Sequence, residues 1–567
     1  DVYSAFVGSD DYIRIAYVLD GVEVTFYELI GGNGFAGLSI EAPASAIVAG
    51  NSLQLKVYSR NDPGFIPFFN GQYAFDNVTI TAAPIIYSRT SGSWTNAVAG
   101  TGTWSLTGHT GASCACYPLN TQVAIIGAGH TVTLQTSQTA TGTPPTSNLA
   151  PGAVDIYGTL QYSTNNNVTL GIQQGLFRVR NGGVVNSNPG TLTGETISFQ
   201  ANVGGAMLQV DAGGTATIED LALGAAAANL HYLTGGGTLS ISDDILIDAS
   251  GATLTNNRSA SLTVSGDIDF NGATSTFVNN AAMTVSGDIF MDASNTTFTN
   301  NASLTVSDDV DFNAINSTFV NNAAMTIGDD ITIDADNSSF TNNATSFTIT
   351  DDLNFNSINS EFTNNATASV SDIVSTDNAD DDNVVTNSAG ATLTLGGVNA
   401  NNADLDVLNS GTITQSGNFS NISNTDTNFD NLATGTWNWT LTPNTTYDTD
   451  MNTVLNCAAA GNTFNYSGAG NQSIIPSTYY HLLLSNSGTK LTSAALDVNG
   501  NLTISNSAVV SSGANAIDVE GNIDIQNTAI LGNGTSTGTI NIGGNWSAVN
   551  AGSFVEGSRA VTFDGAG

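Results

Sequence analysis

SLTVSDDVDFNAINSTFVNNAAMT, residues 303–326, is a little more than one period of a repeat. Shifted by about 21 residues, the stretch 238–372 matches itself: Asn-Asn pairs fall at 256–257, 279–280, 300–301, 321–322, 342–343 and 364–365. Phe277, Phe298, Phe319, Phe340 and Phe362 precede successive pairs, and Asp244, Asp267, Asp288, Asp309, Asp330 and Asp352 run in step with them. A fixed period of this size is the signature of a solenoid with one coil per repeat.

Within a coil the residues alternate with period two, as strands with one buried face do. Leu304, Val306, Val310 and Phe312 fall inward, and Thr305 and Asp311 outward. The inward sites are Met283, Val285, Ile289 and Met291 one coil earlier, and Met325, Ile327, Ile331 and Ile333 one coil later. They stay apolar while their sizes vary, as stacked core layers require. Asn tolerates left-handed backbone angles, so the Asn-Asn pairs are expected at coil corners, where stacked amides can also bond coil to coil. The reading is all-β: a parallel β-helix, right-handed by default, with three-sided coils and strands ~4.8 Å apart.

A period of 42 overlies the first: VNNAAMT occurs at 278–284 and at 320–326. One outward row reads Asp248, Asn271, Asp292, Asn313, Asp334, Asn356. Alternating Asp with Asn doubles the distance between charges and reduces repulsion. Near-identical copies point to growth by duplication.

Only 10% of the 567 residues are charged, against about 25% in ordinary domains. Hydrophobic residues make up 40%, so there is enough to bury for an ordered chain. The formal net charge is −39, with nine Lys and Arg together. That excludes nucleic acid and anionic membrane surfaces as expected partners. No apolar run is long enough to insert in a bilayer as a helix.

In chain order, 1–82 reads as a β-sandwich, partial and jelly-roll-like, with strands at 12–19, 22–29, 52–59 and 73–80. Residues 83–149 read as a capping module followed by a Thr/Pro-rich loop at 135–149. Irregular early coils follow over 150–237, regular repeats over 238–372, and irregular coils with insertions over 373–460. An acidic patch at 376–383 and TWNWTLTP at 436–443 fall in the last of these. The region 461–567 reads as a repeat of about 100 residues, with Phe464 and Phe563 as equivalent positions and the chain as a window on a longer protein.

Two stretches carry a resemblance. YSRTSGSWTN (87–96), GTWS (102–105) and VAIIGAGHTVTL (123–134), with Trp94, Trp104, Gly127, Gly129, His130 and Thr131 at the matching positions, resemble a module of very large secreted surface proteins of Bacteroidota. TFNYSGAGNQSI (463–474), YYHLLLSNSGTKLT (479–492), VNGNLTI (498–504) and VTFDGAG (561–567) resemble a repeat of the same proteins. The resemblance covers about a third of the chain. It implies type 9 secretion, display at the cell surface, and roles in adhesion, gliding or capture of other cells. The C-terminal sorting domain that goes with this export route is not in the sequence.

The chemistry-bearing feature is the Asp ladder, Asp244, Asp267, Asp288, Asp309, Asp330 and Asp352, beside Asp269 and Asp311. Stacked carboxylates offer the oxygen ligands that Ca²⁺ takes. The bland alternative is a solvated acidic edge in salty water. Many polysaccharide-cleaving enzymes are β-helices, and lyases among them need a basic residue near clustered carboxylates. Here the cations are sparse: Arg258 within 238–372, then only Lys490 and Arg559. A ladder repeated in every coil reads as structure, whereas a catalytic site would break the pattern. The row Thr276/Val278, Thr297/Thr299, Thr318/Val320, Ser339/Thr341 and Glu361/Thr363 is similar to the ice-binding face of β-helical antifreeze proteins. Cys114, Cys116 and Cys457 make no clear framework; a loop disulfide, free thiols or a partial metal site with His109 are the alternatives.

The expectation is a non-catalytic, extracellular structural protein of about 20 coils, a rod on the order of 100 Å long. Its expected partners are cell-surface glycans or other cells, the secretion machinery, and further copies of itself as a homo-oligomeric fibre. The alternatives are a secreted polysaccharide-binding or polysaccharide-cleaving β-helix protein and, after that, an ice-binding protein.

Overall fold

In the computed structural model the chain is all-β, 48% strand and 1% helix. The structure describes residues 84–119, 122–134, 153–162, 170–171, 176–186, 196–199, 206–223, 230–375, 382–401, 404–422, 427–442, 448–550 and 552–565, and the backbone of five strands between Val2 and Arg60. About 16 turns of parallel β-solenoid, with about 22 residues per turn, fall in two compact units, Asp1–Ser303 and Leu304–Gly567. The turns are fewer than the 20 expected. Residues 85–134 contribute Gly92–Ser93 and Thr131–Leu134 to one sheet and Ile85–Ser88 and Val123–Ile126 to another.

In the first unit, Tyr12–Leu19 pairs antiparallel with Val22–Ile30 on one edge and Leu53–Arg60 on the other. These are three of the four strands expected in 1–82; the fourth, 73–80, and the sandwich as a two-layer domain lie outside the described residues, as does the loop 135–149. The coils begin with Trp94 and Trp104, both fully buried, their rings edge to face at 5.1 Å. Trp104 Nε1 donates to Trp94 O at 2.7 Å.

A regular coil has three sides. Leu304–Val306 makes the first, Val310–Phe312 the second and Thr318–Asn321 the third. Each pairs in parallel with its counterpart one coil on, Met325–Ile327, Ile331–Ile333 and Ser339–Asn342. The first unit repeats this with Leu262–Val264, Ile268–Phe270 and Thr276–Asn279, paired to Met283–Val285, Ile289–Phe290 and Thr297–Asn300. The alternating inward sites are all buried, and the Phe rings stack: 5.0 Å between Phe277 and Phe298, 4.8 Å between Phe319 and Phe340.

The Asn-Asn pairs sit where the third side ends, but their backbone is not left-handed. The left-handed residues are Asn295, Asn316, Asn337 and Asn359, at the corner between the second and third sides. The pairs instead form two ladders. The first Asn of each pair is buried and donates to the next: Asn256 to Asn279 at 2.8 Å, Asn279 to Asn300 at 2.9 Å, and, in the second unit, Asn321 to Asn342 at 3.0 Å and Asn342 to Asn364 at 2.9 Å. The ladder runs on through Asn387, Asn409 and Asn431. The second Asn is exposed and bonds backwards, as Asn343 does to Asn322 at 2.8 Å. Burial makes the first ladder obligatory, since an unpaired amide there would lose its water partners.

In the second unit the first side continues through Thr392–Leu395, Thr412–Gln415, Thr436–Trp439, Thr463–Tyr466 and His481–Leu484 to Trp546–Ala548. Trp437 and Trp439 are fully buried, and their indole N–H groups donate to Gln415 Oε1 at 3.1 Å and Gly417 O at 2.9 Å. Beyond Tyr466 two new sheets replace the second and third sides, beginning at Gln472–Ile474 and Thr478–Tyr479. Phe464 and Phe563 are not equivalent. Phe464 is buried on the first side, whereas Phe563 is 62% exposed on a strand that pairs with Ile540–Ile542 in one of the new sheets.

Candidate functional surfaces

The Asp ladder lies at the start of the second side, and its carboxylates point along the stack. Asp244 Oδ1 accepts the Asp267 N–H at 2.8 Å, and Asp267 Oδ1 accepts the Asp288 N–H at 2.8 Å. In the second unit Asp309 accepts from Asp330, and Asp330 from Asp352, each at 2.7 Å. Each bond ties the carboxylate of one coil to the backbone of the next. The ladder is therefore a set of coil-to-coil straps. The neighbouring mixed row works similarly: Asn271 donates to Asp248 at 3.0 Å and Asn356 to Asp334 at 2.7 Å.

Among the described residues, two groups bring three carboxylates within 4.8 Å of one another: Asp220, Asp243 and Asp244, and Asp329, Asp330 and Asp351. Each includes one ladder residue; Asp267, Asp288, Asp309 and Asp352 fall in neither group. Burial, then neighbouring carboxylates, push Asp243 and Asp352 above the usual carboxylate range. The largest effect is on half-buried Asp269, pushed up to about 7 by burial and then by Asp244, Asp267, Asp292 and Asp248.

Among the described residues, the run of Asp ends after Asp372. After Asp352 and Asp372 the next residues in the row are Gly397 and Asn418. The Asp372 carboxylate accepts the Gly397 N–H. A groove of about 350 Å³ lies here, lined by Asp352, Asp372, Val374, Gly397, Asn399, Asn418 and Ser420. Sequence reasoning saw no exception to the ladder, because the insertions after 375 hide which residues fall in register.

The row on the third side is in register, with Thr276 beside Thr297 and Val278 beside Thr299. It is only half exposed, and the Thr363 hydroxyl is taken up by the Glu361 carboxylate. The longer hydroxyl row is on the first side and escaped the sequence reading: Thr305, Thr326, Thr348, Ser369, Thr394 and Thr414 are in register, one per coil. Its signal was the S-x-T-x-S of SLTVS at 261–265 and 303–307.

The three cations weighed for catalysis are all buried. Arg258 Nη2 donates to Gly237 O at 2.7 Å. Lys490 Nζ donates to Gly468 O at 2.7 Å and Gln472 Oε1 at 2.6 Å, and burial lowers its pKa to about 8. Neither set of bonds reaches a carboxylate. Cys114 and Cys116 form a disulfide, so neither thiolate is available to a metal site with His109. His109 Nδ1 is bonded to Ser88 O at 2.6 Å, and Cys457 is a buried free thiol. Compared with known proteins, the chain matches no family model, no curated protein and no solved structure.

Proposed function

We propose that this protein is a structural, adhesive component of an extracellular cell-surface filament, non-catalytic, that attaches its cell to surfaces or to other cells. The observation that carries the reading is the repetition of the same inter-coil bonds. The buried Asn ladder and the Asp straps recur in coil after coil, and each of these bonds joins a coil to its neighbour. Stability in such a stack is a sum of near-neighbour terms, so length is added at little cost. The charge of −39 suits a long-lived surface protein that stays dispersed. Glycans or other cells are the partners in this reading, copies of the chain build the fibre, and type 9 machinery exports it. Calcium, if it serves as a cofactor, is held at the two three-carboxylate groups.

The deciding experiment is electron microscopy of intact cells labelled with antibody to residues 238–372. Labelled fibres projecting from the surface support the filament. Label found only in the medium, on single short particles, sinks it.

A second reading, a secreted polysaccharide-binding protein, is favoured by the groove at Gly397, where carboxylate, amide and hydroxyl groups converge. A glycan array probed with wild type and with Gly397→Asp, which adds a side chain to the groove, tests it.

A further inference from the structure

On the first side of the second unit, none of the outward residues from Thr305 to Ser467 is charged. The other two sides of the same coils are acidic. The second carries Asp309, Asp311, Asp330, Asp334, Asp352 and Asp372, and the third carries Glu361, Asp406 and Asp430. The central row of the neutral side, Thr305, Thr326, Thr348, Ser369, Thr394 and Thr414, is exposed or half exposed. Its hydroxyls make no hydrogen bond among the described residues. The flanking hydroxyls are used differently: Thr350 Oγ1 donates to Ile327 O at 2.8 Å and Ser371 Oγ to Thr350 O at 2.7 Å.

We propose that this hydroxyl face is where a second copy of the chain docks, sheet against sheet. The inference rests on the filament reading for its setting and names the face by which copies meet. A neutral partner such as a glycan or ice places no ban on carboxylates. A partner carrying the same −39 charge does, because like charges brought together with loss of water are strongly destabilising. A hydroxyl both donates and accepts, so a hydroxyl face is complementary to itself, which a carboxylate face is not. The face is small: strands ~4.8 Å apart from Leu304–Val306 to Thr463–Tyr466, three or four residues each and so roughly 10–13 Å wide, give about 450 Å² per copy and about 900 Å² in all, the size of a transient contact.

The border of the face fixes the orientation. Asp308, Asp329 and Asp351 line the edge toward the second side, and the opposite edge carries Asn322, Asn343 and Asn365. Two copies facing each other antiparallel would bring the acidic edges together. Two copies parallel, related by a two-fold axis along the stack, set each acidic edge against the other's Asn edge. The parallel pair is therefore the one that forms. It is isologous and closes at two copies, so lengthwise growth uses other contacts.

The test is sedimentation of the full chain at several concentrations and salt levels. A dimer is expected, strengthened by salt, because screening reduces the repulsion between the remaining acidic surfaces. Thr326→Asp with Thr394→Asp should weaken it more than tenfold, while Thr341→Asp on the third side leaves it unchanged; matching circular dichroism melts show that all are folded. Single variants Thr305→Cys, Thr348→Cys and Thr394→Cys should each cross-link to their own counterpart through a short bis-maleimide. Cross-linking at only one position overturns the parallel arrangement. A monomer under all conditions, or association indifferent to the face variants, overturns the docking face. Association indifferent to the face variants, with labelled fibres still on wild-type cells, overturns the face and leaves the filament reading standing. A dimer in solution with no fibre on wild-type cells sinks the filament reading alone.

Discussion

The side-chain amide of Asn342 donates to Asn364 Oδ1 one coil on, at 2.9 Å, and to Thr367 O at 3.1 Å, with both asparagines shut off from solvent. Asn342→Ala removes both bonds and also the buried bond that the Asn321 amide donates to Asn342 Oδ1 at 3.0 Å. The expected loss is about 1–3 kcal/mol, the cost of an unsatisfied buried polar group. Asn343→Ala, one residue along in the exposed ladder, should stay within about 0.5 kcal/mol. Urea unfolding of the two variants side by side checks this; equal effects would remove the buried ladder from the account of stability.

Phe340 lies between Phe319 at 4.8 Å and Phe362 at 5.8 Å, fully buried. Phe340→Ala should cost about 3–5 kcal/mol, with Phe340→Leu costing less. Because the ladder bonds join neighbouring coils, the damage should be local. Hydrogen exchange is expected to speed up in the coils around residues 318–364 while residues 496–525 keep their protection. Uniform loss across the second unit would contradict near-neighbour energetics.

Burial, and then the neighbouring carboxylates, raise the folded pKa of Asp269 to about 7, above the 3.8 of an ordinary aspartate. Between those values the folded state holds a proton that the unfolded state has released. Its contribution to stability is present below the unfolded pKa and is lost as pH rises through about 7. Melting temperature should therefore fall between pH 4 and pH 8, and Asp269→Asn should flatten the slope and be the more stable protein at pH 8. A wild-type slope left intact by Asp269→Asn would assign the pH dependence to other carboxylates.

Calcium should raise the melting temperature of the chain, and a chelator should reverse the effect. At a free concentration of 100 times Kd the gain is about 2.7 kcal/mol. Asp351→Asn, in the group with Asp329 and Asp330, should reduce the number of sites found by titration calorimetry. No heat and no shift in melting would leave the ladder as inter-coil straps and nothing more.

Thiol chemistry gives a quick check of the fold. Cys457 is fully buried, and burial, with Asp430 nearby, pushes its thiol well above the usual range. It should not react with a thiol reagent in the native protein and should give one thiol per chain after denaturation. The Cys114–Cys116 disulfide adds its two thiols only after reduction.

The period and the alternation of Leu304, Val306, Val310 and Phe312 were legible in the sequence because a solenoid is local: each residue's neighbours lie one coil away, at nearly constant spacing. The stacking of Phe319 on Phe340, and of Asn on Asn, follows from the same spacing. What was not legible depended on direction and on register. Nothing in the string of Asp residues told whether a carboxylate reaches outward to an ion or along the stack to the next backbone N–H, as Asp309 does to Asp330. The left-handed corner fell to Asn316 and not to Asn321, because Asn321 is needed, buried, for the amide ladder.

The sequence by itself determined the class of structure, the inward residues and the coil size, since hydrophobic burial at a fixed period leaves one efficient way to stack. Only the tertiary structure decided how the outward residues sort into sides. Insertions after 375 shift the count, so that Gly397 follows Asp372 and Thr394 follows Ser369 only once the parallel strands are paired. The acidic groove, the strapped carboxylates and the neutral hydroxyl face are properties of that pairing, because each is made by residues that meet one coil apart and not along the chain.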